Sequence, residues 1–366
     1  MSDSSVVSLL TVSPGEPLYA AFGHTGIRVR DDSLGLDVVF NYGTFDDTQE
    51  GFYINFVKGK MLYSVTVEDF NNFLWQYRDY EKRRVIEQVL SFSHKDRQEI
   101  FNFLFENVQP ENSKYYYDFF WDNCATRPRD VIEKVLGKRL VYNDSALPSG
   151  YTMRQMLHLY VRNRPWVAFG FDLILGLPCE VPATPRNQTF LPERLSVMFD
   201  HAHLDGRPLV SQKNVLVNLP ELDLKPGLLT PLNCAVFFLI ITLVITLYEI
   251  WRNVHLRWLD VSLFMIYGLL GVFFLCMWAF TTHYSVPKNL NVLWLLPTHT
   301  IAAVLMAGRH FNVVLGAYMI LTAVISVLIL IFWKFIPQPF HVAVIPLLLI
   351  IAMRALSVYR FCKSKQ

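Results

Sequence analysis

Residues 22–43 read FGHTGIRVRDDSLGLDVVFNYG, and the pattern of this stretch decides the fold of the N-terminal part. Residues 25–30 alternate, with Ile27 and Val29 on one face, and 38–42 read as a returning strand that ends at Gly43. Asp31, Asp32, Ser33 and Gly35 supply turn chemistry between the two runs. The stretch is therefore a β-hairpin. With its turn centred near 32–34, the position opposite His24 falls within 41–44, and Asn41 is the best-placed amide there. Working outward, 6–12 reads as a further apolar strand, Pro14-Gly15-Glu16-Pro17 as a turn, and 18–22 as a short approach to Gly23 and His24. The pattern predicts helices over 67–80 and 93–107, the second opening with a capping box of Ser93 and Asp96.

The stretch YYYDFFWDNCATRPRD at 115–130 carries the second chemical signal. Pro128 is tolerated only in the first turn of a helix, and Asp122 or Asn123 is a good N-cap, so the helix running to Leu136 is expected to begin almost at Cys124. A thiol at a helix N-terminus has its thiolate stabilised by the dipole, which is expected to lower its pKa toward neutrality. Its amide is also placed to serve an oxyanion. A nucleophilic thiol needs a base, and the front of the chain offers His24, His94, His158, His201 and His203. His94 falls in a helix cap and His158 in an amphipathic stretch, while His201 and His203 lack further nearby ligands, so no metal site is expected. His24, preceded by a glycine, is the approachable imidazole. Cys124 with His24 is the candidate pair. The aromatic run before Cys124 reads as core or as a substrate contact.

The chain has 366 residues, 52% of them hydrophobic and only 17% charged, which excludes a disordered protein. Residues 231–366 hold nine of the 33 basic and two of the 31 acidic side chains. No stretch has the basic density that a nucleic-acid backbone requires, so no nucleic acid is expected as a partner. Apolar runs at 232–250, 261–280, 290–308, 313–333 and 340–356 each approach the ~20 residues of a bilayer-spanning helix. Five spans are expected, giving an extracytoplasmic domain at 1–230 and a membrane domain at 231–366. Arg252, Arg257, Arg309, Arg354, Arg360, Lys363 and Lys365 fall on one side and Lys288 and Lys334 on the other, which places the C-terminus in the cytoplasm. The front domain is then exported. Residues 1–13 lack the features of a secretory signal, so the expectation is that a signal peptide was removed upstream. The five cysteines are scattered and give no disulfide framework.

FGHTGIRVRD at 22–31, FNYGTFD at 40–46 and DNCATRPRD at 122–130 resemble the papain-like superfamily in its permuted, NlpC-like order, where His precedes Cys. SLLTVSPGEPLYAAFGH at 8–24, NYG and NCATR are more closely similar to the Lnb N-terminal periplasmic domain family. The likeness continues through TMRQML at 152–157, RPWVAFGFDLILGLP at 164–178, FLPERL at 190–195 and THYSVPKNLNVLWLLPTH at 282–299. The resemblance implies an α+β fold, a permuted papain-like domain followed by a five-helix bundle. It implies a lipoprotein N-acyltransferase of a bacterial inner membrane, catalytic on the periplasmic side. Such an enzyme moves an acyl chain from a phospholipid donor to the α-amino group of a diacylated lipoprotein acceptor.

Carried over, Cys124 is the nucleophile, His24 the base and Asn41 the candidate orienter, with Tyr42 and Asp31 as competitors for that last role. No cofactor is expected. His283, Asn289, Asn291, Trp294 and His299 are candidates for contact with the phospholipid or the site, Trp294 reading equally as an interfacial anchor. Arg127 is a candidate for a substrate phosphate, a surface ion pair being its alternative. The competing readings are a membrane-tethered cysteine peptidase or amidase of the cell wall, a phospholipase or thioesterase, and a structural membrane protein with an inert Cys124.

Overall fold

The hairpin read at 22–43 is the centre of a seven-stranded antiparallel sheet in the computed structural model, which describes residues 1–48, 50–220 and 222–364. Its strands are β1 (Val6–Val12), β2 (His24–Asp31), β3 (Leu36–Thr44), β4 (Leu62–Asp69), β5 (Val85–Leu90), β6 (Lys114–Tyr116) and β7 (Val210–Val217). They lie in the order β7-β5-β1-β2-β3-β4-β6. The hairpin turn is one 3-10 turn, Asp32–Leu34, capped by the Asp31 carboxylate on the Ser33 amide and closed by a left-handed Gly35. This turn sets a register that pairs Gly26 with Asn41.

The sheet buries both faces. Val7, Leu9, Ile27, Val29, Phe40 and Tyr42 belong to one core together with Ile100 and Leu104 of the His94–Asn107 helix and Val131 and Ile132 of the Thr126–Leu136 helix. Leu10, Val12, Val39, Val85 and Val217 belong to a second core with Phe70, Phe73 and Tyr77. Each such side chain contributes ~1.5–3 kcal/mol on burial. The capping box forms as read, with both arms between Ser93 and Asp96 made. The helix expected over 67–80 does not. Residues 67–69 complete β4, because Val65 and Val67 pair with Tyr42 and Phe40, and only Phe70–Trp75 is α-helical before a π turn at Gln76–Tyr80.

Residues 1–160 and 182–223 form this unit, and residues 161–181 join those from 224 onward in a second. The boundary expected at 230 is thus earlier, and an internal segment changes sides. The Pro165–Ile174 helix explains why: Phe169 and Leu173 pack on the second unit's core. The Asn289 and Asn291 amides donate to the carbonyls of Asp172, Leu173 and Ile174 at its C-terminal end, where helical partners run out.

Four helices of the second unit, Pro231–Arg252, Arg257–Phe280, Val313–Ile331 and Val344–Ser364, are long and apolar enough to cross a membrane. The segment 290–308, expected as a span, is not one continuous helix but a 3-10 turn at Leu290–Leu293, irregular residues through Pro297, and a nine-residue helix, His299–Ala307. That helix is about 14 Å long, half the thickness of a hydrocarbon core of about 30 Å. Irregular backbone is tolerated at such depth when protein encloses it. Gly271 and Gly268 make the enclosure close, since a Cβ at Gly271 would lie 1.9 Å from the Leu295 carbonyl oxygen. Fully buried Arg354 joins three spans by donating to Asp260 at 2.7 and 2.8 Å and to Glu249 at 2.6 and 3.1 Å. Of the basic residues used to orient the spans, Lys365 lies outside the described residues.

Candidate active site

His24 is the first residue of β2 and Asn41 lies on β3, two positions short of the residue directly opposite His24. That opposite residue is Gly43. Its φ of +90° suits only glycine, and a Cβ there would come within 3.5 Å of the Cys124 Cβ. Glycine is required here by the backbone conformation, and the turn it makes sets the strand end in van der Waals reach of Cys124. Gly26 leaves room for the Asn41 amide, whose Oδ1 would be 3.2 Å from an added Cβ.

His24 Nε2 and Asn41 Oδ1 are 3.0 Å apart. The other end of the amide, Asn41 Nδ2, donates to Glu68 Oε1 at 2.6 Å. Glu68 sits on β4 diagonally across from Asn41, which pairs with Thr66. A carboxylate accepts only, so Glu68 fixes the amide with its NH2 outward and its oxygen toward the imidazole. His24 must then carry its proton on Nε2, and Nδ1 is left with its lone pair. Tyr42 and Asp31, the competing orienters, are committed elsewhere: the Tyr42 hydroxyl donates to Asn107 Oδ1 at 3.0 Å, and Asp31 accepts from the Ser2 amide and hydroxyl.

Cys124 precedes the Thr126–Leu136 helix by two residues. Asn123 is the cap in substance, its Oδ1 accepting from the amides of Ala125 and Thr126 at 2.8 and 2.9 Å, while its Nδ2 donates to the carbonyls of Phe119 and Phe190. This anchorage holds the thiol at the cavity. The thiol pKa does not follow the expected fall. Burial dominates and pushes the Cys124 thiol up to about 11, against the opposing pull of the Thr25 amide, its own amide and Arg83. Burial likewise pushes His24 down to about 4, despite the hydrogen bond to Asn41. At neutral pH the pair is a neutral thiol beside a neutral imidazole.

Cys124, His24 and Asn41 line one cavity of about 410 Å³. Glu68, Tyr77, Glu81 and Arg83 line it too. The Tyr77 ring stacks on the imidazole with centroids 6.2 Å apart. Arg83 is buried, donating to the Ser13 carbonyl at 2.7 Å and to Glu81 at 2.7 Å. Sequence reasoning also missed Glu68, since a helix over 67–80 would have carried it away from β3.

Other expected contacts fall elsewhere. Arg127 forms a bidentate ion pair with Asp122 and covers the Tyr115 ring at 3.7 Å, and it lines a different cavity from Cys124. In the membrane unit, Asn289, Asn291 and Trp294 are buried, and Trp294 Nε1 donates to Asn291 Oδ1 at 2.9 Å. Asn289 Oδ1 accepts from Asn291 and from Gln338. These three side chains are tied to one another and to the backbone of the Pro165–Ile174 helix. His299 is also fully buried, its Nδ1 2.6 Å from the Tyr318 hydroxyl. His283 is half-buried in the connection after the Arg257–Phe280 helix.

An α+β domain bearing a Cys, His and amide cluster, joined to a helical unit with four membrane-length helices, defines the class: a membrane protein with a distinct sheet domain. The chain belongs to the Lnb family, matching the Lnb N-terminal periplasmic domain over residues 1–158 and the Lnb transmembrane domain over 223–366. No curated protein and no solved structure matches it.

Proposed function

We propose that the chain is a lipoprotein N-acyltransferase of a bacterial inner membrane, working through a thioester on Cys124. The observation that carries the reading is the juxtaposition of Cys124, His24 and Asn41 around one cavity, in a chain whose family couples a periplasmic domain to a membrane domain. The His-before-Cys order on neighbouring elements supports a permuted papain-like core.

With both groups neutral at rest, the mechanism is general-base attack, not reaction of a preformed thiolate. As the Cys124 sulfur bonds to the ester carbonyl carbon of a phospholipid, its proton passes to His24 Nδ1. When the tetrahedral adduct collapses, the carbon–oxygen bond breaks and His24 returns that proton to the departing lysophospholipid alcohol. The α-amine of the diacylglyceryl-cysteine then attacks the thioester. It loses a proton to His24, and the leaving sulfur takes that proton back. Asn41 holds the imidazole in the Nε2–H tautomer throughout, and Glu68 keeps the amide in that orientation. The Cys124 amide N–H is the candidate oxyanion donor.

The test is intact-mass analysis of the full chain after incubation with phospholipid and no acceptor. The reading expects one acyl mass added at Cys124, absent from Cys124→Ala and discharged by a diacylated lipopeptide. An adduct on another residue, or acyl release to water at the same rate with or without the lipopeptide, contradicts it.

A further inference from the structure

The loop between β3 and β4 carries a seven-residue helix, Phe52–Lys58, of sequence FYINFVK. None of its residues is buried. Tyr53 is 73% exposed, Ile54 60%, Phe56 49% and Val57 40%, which is an unusual load of apolar surface for so short an element. The helix is bounded by Gly51 and Gly59, both left-handed, so it is an independent turn and not the fraying end of something larger. Its polar neighbours lie at the two ends, Asp46 and Asp47 before it and Lys58 and Lys60 after it.

This surface is continuous with the cavity that holds Cys124. Phe52 stacks on Phe45 with centroids 5.9 Å apart, and Phe45 meets Tyr19 edge-on at 6.3 Å. Tyr19 and Phe45 are at once exposed and part of the cavity wall. Across the Gln76 and Tyr77 portion of the same wall, exposed Trp75 and Tyr80 stack on each other. Tyr19 and Phe45 thus give the cavity wall an apolar edge, in a domain whose chain passes directly into the membrane unit at 160/161, 181/182 and 223/224. Three such crossings tether this domain covalently to the membrane unit.

We infer that the Phe52–Lys58 helix and the adjoining Tyr19, Phe45 and Trp75 form a lipid-docking rim, which dips into the facing leaflet and opens the Cys124 cavity to acyl chains. Aromatic rings flanked by charges at both ends of the element are the composition that membrane interfaces favour. A helix lying in the plane buries its apolar face by the ~5–10 Å that interfacial helices reach. The purpose of the rim rests on the acyl transfer proposed above, but its existence does not.

The experiment is photolabelling of the full chain in phosphatidylcholine vesicles doped with a phosphatidylcholine that carries a diazirine on its acyl chain, followed by peptide mapping. Peptides of the four long helices report lipid contact, and the His94–Asn107 helix reports background. The inference expects residues 51–59 to label at the level of the spans, in wild type and in Cys124→Ala alike. It further expects Ile54→Asp with Phe56→Asp to lose that label while the span peptides keep theirs. Background labelling at 51–59 in wild type overturns it, as does cross-linking of that segment to a second copy of the chain or to added lipopeptide in place of lipid. Absence of acyl transfer with the labelling intact would remove the proposed reaction and leave the docking rim standing.

Discussion

At the residue scale, the chemistry turns on which atoms of His24 are free to move a proton. The hydrogen bond from Nε2 to Asn41 and the second from Asn41 to Glu68 leave Nδ1 as the working nitrogen. Glu68 therefore acts through Asn41 as a positioning residue. Glu68→Ala is expected to lower the rate of acyl-enzyme formation by about 10²-fold with little change in substrate binding, within the usual range for general-base effects. Glu68→Gln, which keeps an acceptor, should restore most of it. Equal loss in both variants would show that the charge, not the orientation, is what counts. The pH dependence follows from burial. His24 stays neutral above about 4 and the Cys124 thiol stays protonated below about 11, so single-turnover acylation is expected to be level from mildly acidic to mildly alkaline pH. It should fall on the acid side only as His24 takes up a proton near 4. A limb at the ordinary histidine value of about 6.5 would contradict the buried, neutral pair.

At the scale of elements, the hairpin was legible because period-2 alternation and turn chemistry agree over 22–43, and Asn41 followed from its register. The stretch 67–80 was not. Val65 and Val67 continue the alternation of β4, but the run beyond them is also apolar at helical spacing, and pairing with β3 is a tertiary fact that no local pattern states. Glu68 was lost with it. Hydropathy likewise counted 290–308 as a span because it weighs composition and not backbone hydrogen bonds. Asn289, Asn291 and Pro297 mark the place where the helix is broken, and there the Leu290 amide donates to Gln338 Oε1 in place of a helical partner. The expected thiolate failed for a different reason, since burial, which no local pattern states, is the largest influence on the Cys124 thiol and pushes it up. A test at this scale is Gly43→Ala. Its φ of +90° penalises any side chain by about 1–2 kcal/mol, and the added methyl meets Cys124. Thermal unfolding should show a modest loss of stability, and acyl-enzyme formation a disproportionate one. A variant as active as wild type would mean that the close approach of the cysteine to β3 is incidental.

At the scale of the whole molecule, the two units solve different problems. The sheet domain holds a reactive cluster between strands that are buried on both faces. The helical unit holds charge in an apolar setting through Arg354, which binds Asp260 and Glu249 together. Replacing Arg354 by Met leaves two buried carboxylates without a cation, a loss of about 3–5 kcal/mol by the usual cost of breaking a buried pair. Unfolding in detergent should show that loss in the helical unit, while Glu249→Gln, Asp260→Asn and Arg354→Met together should recover part of it. No recovery would mean that the cluster's role is not one of charge balance.

The central claim is transfer of an acyl chain through Cys124 to an amine, and one measurement meets it directly. A synthetic diacylated lipopeptide is incubated with phospholipid and the full chain, wild type or Cys124→Ala, and its mass and site of modification are read. The account predicts a gain of one acyl chain on the peptide's α-amine with wild type alone. The same gain with Cys124→Ala, or free fatty acid beside an unchanged peptide, would contradict it.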